Sequence, residues 1–259
     1  MKTNLLSICI LFLLIFSSCG SYKNIPYYQD LNRAPGAPEK EENVSNYEPI
    51  TIKPADILGI KVNSRSPESS AIFSANLGES PSSGPENMGN KGYLVNEEGY
   101  IDLPLVGTMK VSGMTTSQLR QSLKQTLTNF YKDPVVNVRI LNMSVSVYGD
   151  VQRPNVYTLQ NERTTITQVL TLAGDLNITA MRNNILLVRE EKGVRKFITI
   201  DLTSKKIFNS PYYYVKNNDE IYVQPDKTKY ATVDRGYRTA TLILSGLSII
   251  AIVLSNLYR

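Results

Sequence analysis

Residues 115–141 read TTSQLRQSLKQTLTNFYKDPVVNVRIL, and within this stretch a helical pattern gives way to a strand pattern. Thr115 and Gln118 stand at the spacing of a capping box, which begins a helix. Four apolar side chains then recur on one helical face and predict a helix over 116–131 whose apolar face lies in the core: Leu119, Leu123, Leu127 and Phe130. The Lys-Asp-Pro sequence at 132–134 ends this helix, and residues 135–141 predict a strand that follows it.

The residues before this stretch predict further short strands. Apolar residues alternate through 50–62 on both sides of a turn at 53–56, which predicts two strands. Residues 93–95 and 99–105 predict another pair, separated by a turn at 96–99.

The residues after it repeat the same organisation on a smaller scale. Residues 144–149 and 156–159 predict two strands, and Thr165 with Gln168 predicts a second capping box, on a short helix that stops at Gly174. Further strands are predicted at 184–188, 197–202 and 220–223. Each block combines several short strands with one helix, so the fold class is predicted to be α+β.

Two polar segments interrupt these blocks. Residues 32–46 are rich in Pro and Glu and predict a flexible tether before the first folded block. Residues 64–92 are crowded with Ser, Pro, Gly and Asn and predict a long surface insertion.

The N-terminus has the pattern of a secretory signal peptide. Lys2 precedes an apolar run over 5–16, which is shorter than the roughly 20 residues of a membrane span. Phe16-Ser-Ser-Cys19 then resembles the bacterial lipobox, in which the cysteine receives a lipid. An ordinary cleavage site with an incidental cysteine is the alternative. Because neither Gly20 nor Ser21 is aspartate, resemblance to known sorting rules favours the outer membrane.

The C-terminal segment 239–258 is free of charge and mostly aliphatic. As a helix of 1.5 Å rise per residue, 20 residues would cover about 30 Å, the thickness of a bilayer core. A transmembrane helix is therefore predicted, with interfacial anchors at both ends: Arg235, Tyr237, Arg238, Tyr258 and Arg259.

This predicted helix carries a stripe of hydroxyl side chains, which only Ile252 interrupts. At 100° per residue, one face collects Thr241, Ser245, Ser248 and Ser255. Three arrangements accommodate the stripe. A lone anchor helix can satisfy its hydroxyls on its own carbonyls, hydroxyls can join helices side by side, or the stripe can line the water-filled lumen of a helical ring.

Composition narrows the chemistry. The chain has no histidine, and of its two cysteines Cys9 would leave with the signal peptide while Cys19 would be acylated. Catalysis by Ser-His-Asp or Cys-His sites is thereby excluded, and so are most zinc sites. No Asp/Glu pair stands in a recognisable catalytic setting, so we predict no enzyme, no metal and no cofactor. The net charge of +5 is dispersed, which argues against nucleic-acid binding.

Several short sequence segments resemble those of a known family and occur in the same order as in that family. Residues 52–62, 99–115 and 131–138 resemble the opening, middle and end of the polysaccharide biosynthesis/export domain. Residues 147–159 and 170–174 resemble a soluble-ligand-binding β-grasp domain, of which founding-type exporters carry more than one copy and this chain one. The resemblance implies a signal peptide at 1–18, a lipidated tether at 19–46, an export domain at 47–141, a β-grasp domain at 142–226 and a transmembrane helix at 239–258.

The resemblance also implies a function. Members of the family are outer-membrane lipoproteins that assemble into rings, by resemblance octamers, and capsular polysaccharide or exopolysaccharide leaves the cell through the ring. The C-terminal helices form a transmembrane α-barrel, an inner-membrane polysaccharide copolymerase is the partner, and the soluble domains lie in the periplasm. Thr241, Ser245, Ser248 and Ser255 would then face the lumen, and Cys19 would hold the protein to membrane lipid.

Two alternatives stay open. The chain could be a scaffold or polysaccharide-binding lipoprotein whose C-terminal helix is only an anchor. Separately, the three tyrosines at 212–214 could stack on sugar rings, or they could alternate in and out along a strand.

Overall fold

The computed structural model describes residues 25–31, 36, 39, 41–42, 46–64, 92–191, 193–230 and 235–257, with residues 235–238 described by their backbone alone. The helices and strands of this part of the chain form two α+β units. The first contains β1 (Ile57–Asn63), β2 (Tyr93–Leu94), β3 (Tyr100–Leu103), β4 (Gly107–Lys110), α1 (Thr116–Leu127) and β5 (Val135–Ile140). The second contains β6 (Ser144–Gly149), β7 (Asn155–Thr158), α2 (Ile166–Leu172), β8 (Ala180–Glu191), β9 (Val194–Ile200), a 3-10 helix (Lys205–Asn209) and β10 (Asp219–Pro225). Two further helices follow, α3 (Lys227–Tyr230) and α4 (Arg235–Leu257).

In the first unit, α1 covers one face of an antiparallel sheet. The strand order is β2-β1-β5, and Ile60 lies opposite Val138 in the register of the central pair. The capping box forms as predicted, because Thr115 Oγ1 accepts from Gln118 N at 3.2 Å and Thr115 N donates to Gln118 Oε1 at 2.8 Å. The core between helix and sheet contains fully buried side chains from both: Leu58, Ile60, Val62, Leu119, Leu123 and Leu127.

Helix α1 ends earlier than the sequence pattern predicts. Its last residue is Leu127, and the predicted end at residue 131 is wrong. The N–H of Phe130 bonds to the Leu127 carbonyl three residues back, so the chain tightens into turns before Pro134. Phe130 consequently lies outside the helix with 52% of its surface exposed, and its prediction as a core residue is also wrong.

The first of the two strands predicted in 50–62 is also absent from the described fold. Residues 50–52 make one isolated bridge, from Thr51 to Thr115. The N–H of Ile52 donates to the Met114 carbonyl, and the Ile52 carbonyl accepts from Gly113, so this segment is held by the loop before α1. The turn at 53–56 forms as predicted and leads directly into β1.

The second unit is a mixed five-stranded sheet in the order β7-β6-β10-β8-β9. The pair β6 and β10 runs parallel, with Val147 opposite Ile221, and every other pair is antiparallel. Helix α2 begins at the second predicted capping box and buries Ile166, Val169 and Leu170. Two strands are longer than predicted, because β8 covers Ala180–Glu191 and β10 covers Asp219–Pro225.

A buried ion pair links the neighbouring strands β8 and β10 of this sheet. The guanidinium of Arg189 donates to both carboxylate oxygens of Asp219, at 2.8 and 2.6 Å, and to the Tyr214 carbonyl at 3.0 Å. Both side chains are almost fully buried. Two charges in a low-dielectric interior require such complete pairing, so truncating one partner would leave an uncompensated charge.

Parts of the segment predicted as a tether lie against the second unit. The N–H groups of Tyr28 and Gln29 donate to the carbonyls of Leu202 and Thr203, and Asp30 accepts from the backbone N–H of Lys205. Farther along, the side-chain amide of Asn46 donates to the carbonyls of Phe208 and Ser210. Residues 25–31 and Asn46 therefore follow the surface around the 3-10 helix.

Candidate functional site

Helix α4 is the described element with the largest exposed apolar surface. Its segment Thr239–Leu257 is long and apolar enough to cross a membrane by length and composition, and none of it is buried against the rest of the protein. Nineteen residues at 1.5 Å rise give about 28 Å, close to a bilayer core. Ten aliphatic side chains are at least half exposed: Leu242, Ile243, Leu244, Leu247, Ile249, Ile250, Ile252, Val253, Leu254 and Leu257. So large an apolar surface is the mark of a segment that lipid or other protein covers.

The four predicted lumen residues lie on α4, within one continuous helix. At 100° per residue Thr241, Ser245 and Ser248 fall on one side, Ser255 joins them two turns later, and Ile250 faces the opposite direction. Ser245 Oγ donates to the Leu242 carbonyl at 2.9 Å, and Ser248 Oγ donates to the Ser245 carbonyl at 2.7 Å. Their donors are thus satisfied within the helix while their oxygens can still accept, an arrangement compatible with a lone helix and with a ring.

The other predicted membrane residues have no described side chains. Cys19, Tyr258 and Arg259 lie outside the described residues, as do residues 1–18. Arg235, Tyr237 and Arg238 form the first turn of α4 by their backbone. The lipid attachment and the interfacial anchoring remain predictions.

The three tyrosines at 212–214 are packed into the protein, and the alternative that they alternate along a strand is wrong. They lie between the 3-10 helix and β10, where Tyr214 makes one isolated bridge to Thr165. The Tyr213 ring meets the rings of Phe208 and Tyr214 edge-on, and the Arg189 guanidinium carbon lies 5.6 Å from the centre of the Tyr212 ring. Tyr214 is buried and accepts a hydrogen bond from Arg163 at 2.9 Å. These rings therefore stabilise the second unit.

A cleft of about 390 Å³ lies where the two units meet, and no local sequence pattern predicted it. Asp56, at the end of the first turn, is buried; its carboxylate accepts from Lys53 N at 2.8 Å and from the Asn217 side chain at 3.1 Å. The Asn217 oxygen in turn accepts from Ser144 N at 2.9 Å. Burial raises the pKa of the Asp56 carboxyl, because it outweighs those two hydrogen bonds. The Pro-Ala-Asp turn at 54–56 was the available signal, but nothing local pointed to Asn217.

A cluster of ion pairs borders the same cleft. The Lys216 ammonium lies 2.7 Å from Glu191 and 2.9 Å from Glu48, and Lys196 lies 2.8 Å from the other oxygen of Glu191. Hydrogen bonds from Lys196 and Lys216 lower the pKa of Glu191 to about 2. Glu48 precedes the first unit, while Glu191 and Lys216 belong to the second. The ion pair between Glu48 and Lys216 therefore connects the segment that leads into the first unit with the surface of the second.

The residues that line the cleft form no metal-binding cluster. Among the described residues, no group of three or more His, Cys, Asp or Glu could hold a metal ion. The carboxylates of the cleft are engaged by lysine, amide or backbone donors. Among the described residues, the exposed apolar surface of helix α4 is the strongest candidate site.

Comparison with known proteins finds similarity in the part of the chain that contains the first unit. Residues 44–141 match the family model of polysaccharide biosynthesis/export proteins. The EPS I polysaccharide export outer membrane protein EpsA of Ralstonia solanacearum is 29% identical over 110 residues, which cover 41% of this chain and 29% of the relative. The protein of the same name from Ralstonia nicotianae is 32% identical over 96 residues, which cover 36% of this chain and 25% of the relative. The chain spans less than a third of the length of either relative, and both alignments are consistent with the family match. Residues 44–141 of this chain are thus similar to the polysaccharide biosynthesis/export protein family.

Proposed function

We propose that this protein is a subunit of an outer-membrane channel that exports capsular polysaccharide or exopolysaccharide. The observation that carries the proposal is the combination of an export-family domain at 44–141 with the exposed, bilayer-length helix α4. Both relatives are named as polysaccharide export outer membrane proteins, which supports the same location and cargo class for this chain. The role is transport rather than catalysis.

In this proposal the helices α4 of several subunits form a transmembrane barrel. Aliphatic side chains would face lipid, and Thr241, Ser245, Ser248 and Ser255 would face a hydrated lumen. The Ser245 and Ser248 oxygens can accept weak, replaceable hydrogen bonds from a passing polymer, which permits movement without a tight binding site. The ring is a homo-oligomer, an octamer by family resemblance.

The remaining parts receive supporting roles. Cys19 would carry the lipid that tethers the chain to the outer membrane, with Arg235, Tyr237, Arg238, Tyr258 and Arg259 as interfacial anchors of α4. Residues 142–226 would form a β-grasp domain in the periplasm, which the mixed five-stranded sheet and its single helix α2 support. An inner-membrane polysaccharide copolymerase would supply the polymer and the work of transport.

The barrel is tested by replacing Ser245 and Ser248 together with leucine and measuring polysaccharide at the cell surface. If these residues line the lumen, bulky apolar side chains narrow and dry it, and we expect export to be lost while the protein still reaches the membrane. The matched control is Ile243→Leu with Ile250→Leu, two changes on the opposite helix face that keep its chemistry. Normal export by the Ser245→Leu/Ser248→Leu variant would contradict the barrel.

A second measurement addresses assembly directly. Acylated full-length protein extracted in detergent should appear in electron micrographs as rings with a collar of helices. Monomers in that preparation would favour the alternative, a scaffold or polysaccharide-binding lipoprotein with a single anchor helix. This alternative is supported by the hydroxyls of Ser245 and Ser248, because both donate to backbone carbonyls of their own helix and so need no partner from another subunit.

A further inference from the structure

The two ends of the chain that are directed to the membrane attach to the second unit at the same place. Near the N-terminus, the Tyr27 hydroxyl donates to the carboxylate of Asp175. Near the C-terminus, the Lys229 ammonium in α3 donates to the carboxylate of Asp150. Asp150 follows β6 and Asp175 follows α2, and these two positions are adjacent in the fold.

One loop connects both attachments. In the loop 174–179, the Asn177 side chain donates to Asp150 Oδ1 at 2.9 Å, and the Thr179 hydroxyl donates to Asp150 Oδ2 at 2.7 Å. The Thr179 carbonyl then accepts from the N–H of Asp226 at 2.7 Å, just before α3. We call the loop 174–179 together with α3 the terminal pole.

The chain lengths on either side keep the terminal pole close to a bilayer. Tyr27 stands eight positions after Cys19, a reach of at most about 28 Å for a fully extended chain. Tyr230 stands nine positions before Thr239, the first residue of the candidate span, a reach of at most about 31 Å. If a lipid on Cys19 and the helix α4 both enter one membrane, these two connections hold the terminal pole within about 30 Å of it.

The terminal pole displays apolar side chains outward. Ile178 is 69% exposed although it lies between Asn177 and Thr179, whose side chains are turned inward onto the buried Asp150. Those bonds prevent the loop from rotating Ile178 into the protein. Tyr230, at the end of α3, is 55% exposed and suits the membrane interface, where aromatic rings with a polar tip are enriched.

We propose that the terminal pole rests on the inner surface of the outer membrane and that Ile178 penetrates the lipid headgroup region. The inference rests on the proposed function, because it takes Cys19 as lipidated and α4 as inserted. Its added content is that the second unit has a membrane-contacting face, which would hold the periplasmic part upright beneath the exit.

The test places one fluorescent label at a time on full-length, acylated protein. The substitutions are Ile178→Cys at the terminal pole, Val194→Cys at the start of β9, where it pairs with Glu191 at the far end of β8, and Ile250→Cys on the face of α4 opposite the hydroxyl stripe. The twelve-residue strand β8 separates Ala180 from Glu191 by about 36 Å, so Val194, itself 59% exposed, is a control distant from the terminal pole. The unsubstituted protein should take up no label, because its one cysteine after processing is Cys19, whose thiol carries the lipid.

The labelled proteins are inserted into vesicles of phosphatidylethanolamine and phosphatidylglycerol and quenched in two ways. Aqueous iodide reports exposure to water, and a nitroxide-bearing lipid reports contact with the bilayer. We expect the label at 178 to be quenched severalfold less by iodide than the label at 194, and to be quenched by the nitroxide lipid. The label at 250 should be quenched by the nitroxide lipid alone.

Each other outcome overturns a defined part. A label at 250 in lipid with a label at 178 as open to iodide as that at 194 removes the membrane face but leaves the proposed function. A label at 178 protected from both quenchers means that protein, such as a second copy of this chain, covers the terminal pole, which also refutes the inference. A label at 250 outside the lipid refutes the insertion of α4, and the proposed function falls with it.

Discussion

At the scale of single residues, Gly149 shows why a motif position admits one residue type. Its φ is +98°, and a Cβ added there would stand 2.1 Å from the backbone carbonyl oxygen of Val223 on β10. Because that oxygen belongs to the paired strand itself, no side-chain rotation could relieve the clash. The close approach of β6 and β10 therefore depends on the missing side chain.

We predict that Gly149→Ala destabilises the folded protein by at least about 2 kcal/mol, since backbone strain and overpacking add at this position. Gly113→Ala is the control: its φ is +84°, but no atom lies within 4 Å of the added Cβ. That variant should lose only about 1 kcal/mol from strain. Denaturant unfolding measures the free energy of unfolding of both variants. Equal losses would show that the close approach to the Val223 carbonyl adds nothing to the cost of the Gly149 substitution.

Glu191 is the residue whose charge should make stability depend on pH. Its pKa falls from an ordinary 4.5 to about 2 in the folded protein, so its contribution is complete above pH 4.5 and is lost as the pH falls toward 2. We expect Glu191→Gln to cost roughly 1 kcal/mol at neutral pH, as for partly exposed ion pairs, and to flatten the stability profile across that acid window. The control is Glu190→Gln, which removes an exposed carboxylate paired with the exposed Arg195, and at neutral pH it should cost less stability than Glu191→Gln.

At the scale of elements, α1 owes its place to three leucines at four-residue spacing. Leu119, Leu123 and Leu127 are fully buried against the sheet of the first unit, while the capping box satisfies the free N–H groups at the helix start. Such burial contributes more than helix propensity does in a helix of this length. The packing face, rather than the residues after Leu127, thus keeps the element in place.

We predict that Leu123→Ala lowers the free energy of unfolding by about 2–5 kcal/mol, because it removes buried methyl groups and leaves a cavity. Phe130→Ala, at the position wrongly predicted as core, should cost well under half of that. The comparison requires only thermal or denaturant unfolding of the two variants. A loss at Phe130 as large as that at Leu123 would contradict the prediction and show that this ring is part of the core.

At the scale of the whole molecule, the stability of the folded units does not depend on α4. Since α4 from Thr239 to Leu257 is not buried against the units, a chain ending at Tyr230 should keep their fold. Two attachments to the membrane are then expected, one through Cys19 and one through α4.

We predict that either attachment alone retains the protein in the membrane fraction. The truncation after Tyr230 removes one, and replacing residues 1–19 by a cleavable secretion signal without cysteine removes the other. Only the doubly altered protein should appear in the soluble periplasmic fraction, and circular dichroism should show it folded. Release by either single change would reduce the number of effective anchors to one.

Local patterns were enough to predict several parts of this protein. Both capping boxes, the alternation of β5 and β6, and the apolar run of α4 depend on neighbours within about one or two turns of the chain, which a sequence displays directly. The resemblance to the export family could also be recognised from the sequence, because it depends on short segments in a fixed order. The family match at residues 44–141 confirms this resemblance for the first unit.

Contacts between distant residues needed the tertiary structure. The parallel pairing of Val147 with Ile221, the Arg189–Asp219 pair, the bond from Asp56 to Asn217 and the meeting of Tyr27 with Asp175 join positions that are 30 to 161 residues apart. No local preference specifies such partners, because each pairing is favourable only after the loops between them have closed and water has been excluded. For the same reason, the apolar pattern of α4 does not specify where α3, the short helix before it, attaches to the second unit, whereas the structure shows the contact of Lys229 with Asp150.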